Sequence, residues 1–137
     1  MEIEAIIREA LDLWDQGRLD EYLAYYDADL AYTMPGGVCG QGLKGLPGAL
    51  RMQLTALPDS RIEIRQIVVQ GDTAVVEGIS TGTNTGPIHL PGSDPAPPTG
   101  KRITRGIALV MRLRDGRIVE FREYSDRPTW LEQLGLV

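Results

Sequence analysis

An α+β domain is predicted, because the hydrophobic period of the chain changes once, from that of a helix to that of a strand. Up to Leu57 the apolar residues recur at intervals of three and four; from Arg61 onward they alternate. The 137 residues suit a single domain, 1–137, with a real core.

The first helix is expected over residues 2–15, where Ile3, Ile6, Ile7, Ala10, Leu11 and Trp14 share one face. Gly17 suits its end, and Asp20 suits the start of a second helix carrying Leu19, Tyr22, Leu23 and Tyr26 on one side. Leu30–Met34 reads as a short strand, ended by Pro35-Gly36-Gly37. A third helix is expected from about Leu43 to Leu57, with Pro47 in its first turns. Ile62–Gln70 and Thr73–Thr83 read as paired strands around Gly71-Asp72. Thr85–Gly100, with five prolines and three glycines, cannot be a regular strand; it is expected to be a lid over a cavity mouth. Ile103–Leu113 and Arg117–Ser125 form the last two strands, and Arg127–Gly135 a closing helical turn with Asp126 or Thr129 near its start.

The final hairpin can be registered by pattern. A two-residue turn at Asp115-Gly116 would set Ile107, Leu109, Met111 and Leu113 on the face opposite Val119 and Phe121. A three-residue loop, Arg114-Asp115-Gly116, gathers them on one face instead. Met111 then opposes Val119, Leu109 opposes Phe121 and Ile107 opposes Glu123. Arg105 becomes the neighbour of Ser125 and reaches Glu123 diagonally.

This register points Glu123 inward, beside Phe121, while Glu120 and Asp126 look outward. An inward carboxylate is costly without a partner or a task. Two readings stand. Glu123 is half of an ion pair with Arg105 or solvated at a wet strand end, or it is a proton-transfer group on the floor of an apolar cavity. Desolvation favours the protonated form of such a group and a neighbouring cation favours the anion. Tyr32, Met34, Leu109, Met111 and Phe121 are the expected lining, with Ile107 on the same face. Trp14 is expected to contribute from the first helix and His89 from the loop. Tyrosines crowd the first quarter of the chain; most suit core packing, though their hydroxyls can orient a polar group.

Composition narrows the partners. A net charge of −5 speaks against nucleic acid and anionic membrane surfaces, and no stretch is long and apolar enough to span a bilayer. The start, Met1-Glu2-Ile3-Glu4, has no basic leader segment. One cysteine, Cys39, permits no internal disulfide, which points to a reducing cytoplasm. Cys39 reads as a small apolar residue rather than a nucleophile. No metal-ligand spacing is present, and the glycines of 35–48 match no phosphate or dinucleotide motif.

The order helix, helix, short strand, helix and four long strands resembles the cone-shaped domain of the NTF2-like superfamily. Gly82-Thr83-Asn84-Thr85-Gly86, Pro97-Pro98-Thr99-Gly100-Lys101-Arg102, Arg114-Asp115-Gly116-Arg117-Ile118-Val119-Glu120 and Glu132-Gln133-Leu134-Gly135 resemble its SnoaL-like polyketide cyclase branch, most closely over residues 75–136. The resemblance implies a curved antiparallel sheet wrapped around an apolar cavity by N-terminal helices, and pairing into a homodimer. It implies acid/base catalysis of ring closure or isomerisation on a small apolar organic substrate, with no metal or organic cofactor. The acid of that branch lies seven residues after the turn glycine, which here is Glu123. Where those cyclases carry assisting polar residues, this chain has Ile107 and Leu109. Phe121-Arg122-Glu123-Tyr124 also resembles the acidic strand of limonene-epoxide hydrolases, although Glu77-Gly78-Ile79-Ser80-Thr81 does not resemble their Arg-x-Asp segment. Epoxide hydrolysis and a non-catalytic ligand-binding or dimerisation module are the alternatives.

Overall fold

The computed structural model describes residues 2–35, 37–90, 92–126 and 128–136. The expected turn residue Gly36, Pro91 of the loop and Arg127 of the closing segment lie outside them. The chain runs α1 (Ile3–Asp15), α2 (Leu19–Leu23), β1 (Tyr26–Met34), β2 (Val38–Gln41), α3 (Leu46–Ala56), β3 (Arg61–Gln70), β4 (Thr73–Thr83), β5 (Arg102–Arg114), β6 (Arg117–Ser125) and α4 (Trp130–Gln133). The strands form one curved, open sheet in the order β2-β1-β6-β5-β4-β3. Its pairs are antiparallel except β1 with β6, which is parallel.

Each helix is amphipathic in the way its spacing requires. Ile6, Ile7, Ala10, Leu11 and Trp14 are the buried stripe of α1, and Asp15 ties its end to β3 by accepting the Ile62 N–H at 2.8 Å. Burial raises the Asp15 carboxyl above its ordinary value, against the pull of that bond. Helix α2 begins one residue before Asp20, which lies in its first turn and does not cap it. In α3 the buried stripe is Leu46, Leu50, Gln53 and Ala56. Strands β4 and β5 bury every second residue. The main core fills the space between α1, α2, α3 and the inner face of this sheet.

The last hairpin corrects the expected register. Arg114 pairs directly with Arg117 across a two-residue turn. Asp115 and Gly116 both have positive φ, 52° and 78°, the geometry that Asp-Gly favours because it follows the twist of the strands. The phase is mended inside β6 instead. Leu113 opposes Ile118 and Arg112 opposes Glu120, so Val119 is an extra, unpaired residue, a β-bulge. Beyond it Met111 opposes Phe121, Leu109 opposes Glu123 and Ile107 opposes Ser125. Ile118, which strict alternation sets on the outward face with Glu120, is buried in the core; Val119 is buried but stands outside that core cluster.

The segment 85–100 is not a lid. Asn84, fully buried, donates to the Ala56 and Gly86 carbonyls at 3.0 Å each and accepts from Thr99 N–H and Oγ1 at 2.7 and 2.8 Å. Ile88 bridges Ala96 and joins a second apolar cluster with Leu57, Ile103, Trp130 and Leu134. These two buried residues, Asn84 and Ile88, fix the loop against the end of α3. Its glycine and proline content had suggested freedom, but the side chains decide its place.

Candidate active site

Two connected spaces lie between the sheet and the helices. An inner recess of about 30 Å³ is walled by Trp14, Tyr22, Tyr26, Leu109 and Phe121, with Leu46, Leu50 and Ile62 above and beside them. An outer vestibule of about 350 Å³ opens between α3, α4 and the turn from β1 to β2, past Pro35, Val38, Met52, Trp130 and Leu131. Met34, Leu50, Gln53, Arg105 and Glu123 line both. The recess has room for roughly two waters, whereas the vestibule is of the size that holds a small organic molecule.

Glu123 and Arg105 stand at the junction. The Arg105 Nη1 donates to Glu123 Oε2 at 3.1 Å, and the two side chains are 4% and 11% exposed, respectively. On β6, Ser125 lies opposite Ile107 and not Arg105 as expected; on β4, Arg105 lies opposite Ser80, and its long side chain reaches the acid. Its other guanidinium nitrogens make no hydrogen bond among the described residues, and Nε is fully enclosed. Gln53 and Ser80 are also buried and lining, and their side chains make no hydrogen bond among the described residues.

An aromatic series leads down to this junction. Ring centroids are 5.5 Å apart for Trp14 and Tyr22, 5.2 Å for Tyr22 and Tyr26, and 6.0 Å for Tyr26 and Phe121. The Tyr22 and Tyr26 hydroxyls hydrogen-bond to each other. Burial pushes both phenols upward, and the negative charge of Glu123 pushes them further. They therefore act as neutral hydroxyls; after the shared bond one hydroxyl hydrogen remains for another acceptor.

Of the expected site residues, Trp14, Met34, Arg105, Leu109, Phe121 and Glu123 are brought together here. Tyr32, Ile107 and Met111 are buried in the core without lining either space. His89 does not join them. It lies in a surface hollow with Gly45, Ala49, Arg51, Met52 and Thr55, because its loop is fastened to the outer side of α3. Gln53 and Ser80 were not anticipated. Each is a polar residue within an otherwise apolar inward stripe, and that interruption was the readable signal. Among the described residues no cluster of three or more His, Cys, Asp or Glu could hold a metal ion, and no helix is long and apolar enough to cross a membrane.

A curved sheet closed by helices over a mostly apolar cavity, with one ion pair at its throat, defines a cone domain of the NTF2-like, ketosteroid-isomerase-like kind. The match to the SnoaL-like polyketide cyclase family over residues 4–134 makes the chain a member of that family. No curated protein matches it in sequence. Among solved structures it is similar to IdmH of Streptomyces antibioticus, a proposed polyketide cyclase, at 26% identity and a TM-score of 0.76, over 98% of this chain and 99% of that one. It shares its fold with AclR of Streptomyces galilaeus, a proposed hydroxylase, at 21% identity and a TM-score of 0.78, over 98% and 85%. TsrD of Streptomyces laurentii has the same fold at 22% identity and a TM-score of 0.72, over 98% and 96%.

Proposed function

We propose that this protein is an acid/base enzyme of the cyclase or isomerase type that moves a proton next to a carbonyl group of a small, mostly apolar metabolite, with no cofactor. One observation carries the reading: Glu123, the only carboxylate lining the recess among the described residues, is almost buried yet lies where the recess meets a vestibule large enough for such a molecule. Arg105 holds that carboxylate in one orientation. The substrate enters past Trp130 and α3 and presents its activated C–H bond to Glu123. The apolar walls keep water from competing for the proton. The family membership and the likeness to IdmH support a cyclase or isomerase role.

The test is turnover of a panel of enolisable ketones and poly-β-ketone analogues, with small epoxides as the contrast, by the wild type and by Glu123→Gln. The substitution keeps the shape and removes the basic oxygen. Turnover of an active ketone is expected to fall roughly a hundredfold with little change in binding. An unchanged rate would leave Glu123 as a structural ion-pair partner. Exclusive turnover of epoxides would make the enzyme a hydrolase in which Glu123 activates water.

A further inference from the structure

The proton-transfer reading leaves part of Arg105 unexplained. A guanidinium has five N–H donors, and here one nitrogen serves Glu123 while the others meet no protein acceptor among the described residues. A single ion pair needs much less than this, and burying a guanidinium with unmet donors is costly. Ser80 stands directly across the strand pair on the same face, a buried residue whose hydroxyl has no hydrogen bond among the described residues. Both line the recess. Donors left open in an otherwise apolar chamber mark the place for an acceptor on the ligand.

Charge says what kind of acceptor. Among the described residues Arg105 and Glu123 are the only charged ones lining the recess, and they cancel. A free carboxylate entering the resting site would set two anions against one cation, so a neutral carbonyl oxygen fits better. Once Glu123 has taken a proton it is neutral, and Arg105 has lost its counter-charge.

We propose that Arg105, assisted by Ser80, is the oxyanion site of the reaction. Its free Nη N–H groups bind the substrate's carbonyl oxygen and hold the enolate. In the step, the α-C–H bond breaks and its proton goes to the Glu123 carboxylate. The electron pair forms the C=C bond, and the carbonyl π pair moves onto oxygen. Arg105 exchanges one anionic partner for another, and the net charge of the chamber stays constant. A preorganised donor aimed at developing charge is worth more than one recruited during the reaction. The substrate class that follows is a neutral enolisable ketone or ester. This rests on Glu123 being the base.

Binding of 4-nitrophenol tests it without turnover, because the anion mimics an enolate and absorbs differently from the neutral phenol. Under conditions where the probe is ionised in solution, Glu123→Gln is expected to bind the phenolate at least roughly tenfold more tightly than the wild type, since the resident negative charge is gone. Adding Arg105→Met to Glu123→Gln should abolish the gain, and adding Arg105→Lys should restore part of it. Adding Ser80→Ala should reduce the gain about threefold. Equal binding by wild type and Glu123→Gln, or a gain that survives Arg105→Met, overturns the proposal, as does failure of the probe to bind any of them. Should Glu123→Gln fold poorly, the wild type decides. Calorimetry in buffers of different ionisation enthalpy should show uptake of about one proton while the bound probe still absorbs as the anion. A probe bound as the neutral phenol counts against the proposal. If Glu123→Gln turns over substrate at the wild-type rate, the base assignment falls on that assay; if only the phenolate preference is missing, Arg105 alone loses its role.

Discussion

Strands β5 and β6 carry two arginine–glutamate arrangements on opposite faces, three residues apart on β6. On the inner face Arg105 meets Glu123 at 3.1 Å. On the outer face Arg112 and Arg122 both meet Glu120 at 3.0 Å. The contact geometry is nearly the same and the surroundings are not. The inner pair is 4% and 11% exposed, whereas the outer three are 35% to 40% exposed. Distance alone therefore says little about what an ion pair does. Outside, water and ions screen the charges and the arrangement adds little to stability. Inside, the same groups are desolvated, so any change in one is felt in full by the other.

The sharpest way to break this contrast is kinetic. Glu123→Gln should cost about a hundredfold or more in turnover, whereas Glu120→Gln should leave turnover within about twofold, read as kcat on the same substrate. An equal loss from both would mean that burial does not separate them. Stability comes next. Arg105→Met with Glu123 in place strands a buried carboxylate and should lower the unfolding free energy by about 3–5 kcal/mol. Adding Glu123→Leu should recover much of that; urea denaturation of the two variants gives the comparison. Arg112→Met should change stability by less than about 1 kcal/mol, and less still in high salt.

Association would sharpen the contrast from the other side. We propose that two copies pair through the outer face of the sheet, where the exposed Tyr124 lies near the Glu120 cluster. Sedimentation should then give about twice the mass of 15.0 kDa, and Arg122→Glu should weaken it. A monomer at micromolar concentration rejects the pairing. The smallest expected effect is that of pH on the outer cluster. The hydrogen bond from Arg112, with further help from Arg122, holds Glu120 below the ordinary glutamate value of 4.5. A carboxyl lowered on folding stabilises the folded state above its unfolded value, and that contribution is lost as pH falls through the folded one. The difference in urea midpoint between wild type and Glu120→Gln should therefore shrink below pH 4.5.

Much of this was readable from alternation, because a period of two fixes a face even where it misplaces a partner. Glu123 was expected opposite Ile107 and lies opposite Leu109. That slip of two residues keeps the side chain inward; a slip of one would have turned it out. A longer loop misplaces the partner, because Asp-Gly favours the short turn and the adjacent pair Ile118-Val119 interrupts the alternation where the bulge sits. The parallel pairing of β1 with β6 joins segments far apart in the chain, and no local pattern encodes it. His89 was misplaced for a related reason. Loop composition reports backbone freedom, and the burial of Asn84 and Ile88 depends on contacts with α3 and α4. Gln53 and Ser80 stood in view as breaks in apolar stripes, but a break alone does not say which cavity it faces.

Val119 has a consequence for anyone moving this site into another protein. The acid is the seventh residue after Gly116, and with a two-residue turn that spacing delivers an inward carboxylate only because Val119 is spare. A strand without the bulge would need a spacing of six. Deleting Val119 would straighten β6 and still leave Glu120 facing Arg112 and Glu123 facing Leu109, whereas deleting Arg122 would carry Glu123 to the solvent side. A graft must therefore carry the turn, the spare residue and the acid together, and a relative one residue shorter at this point can present its carboxylate to the cavity just as well.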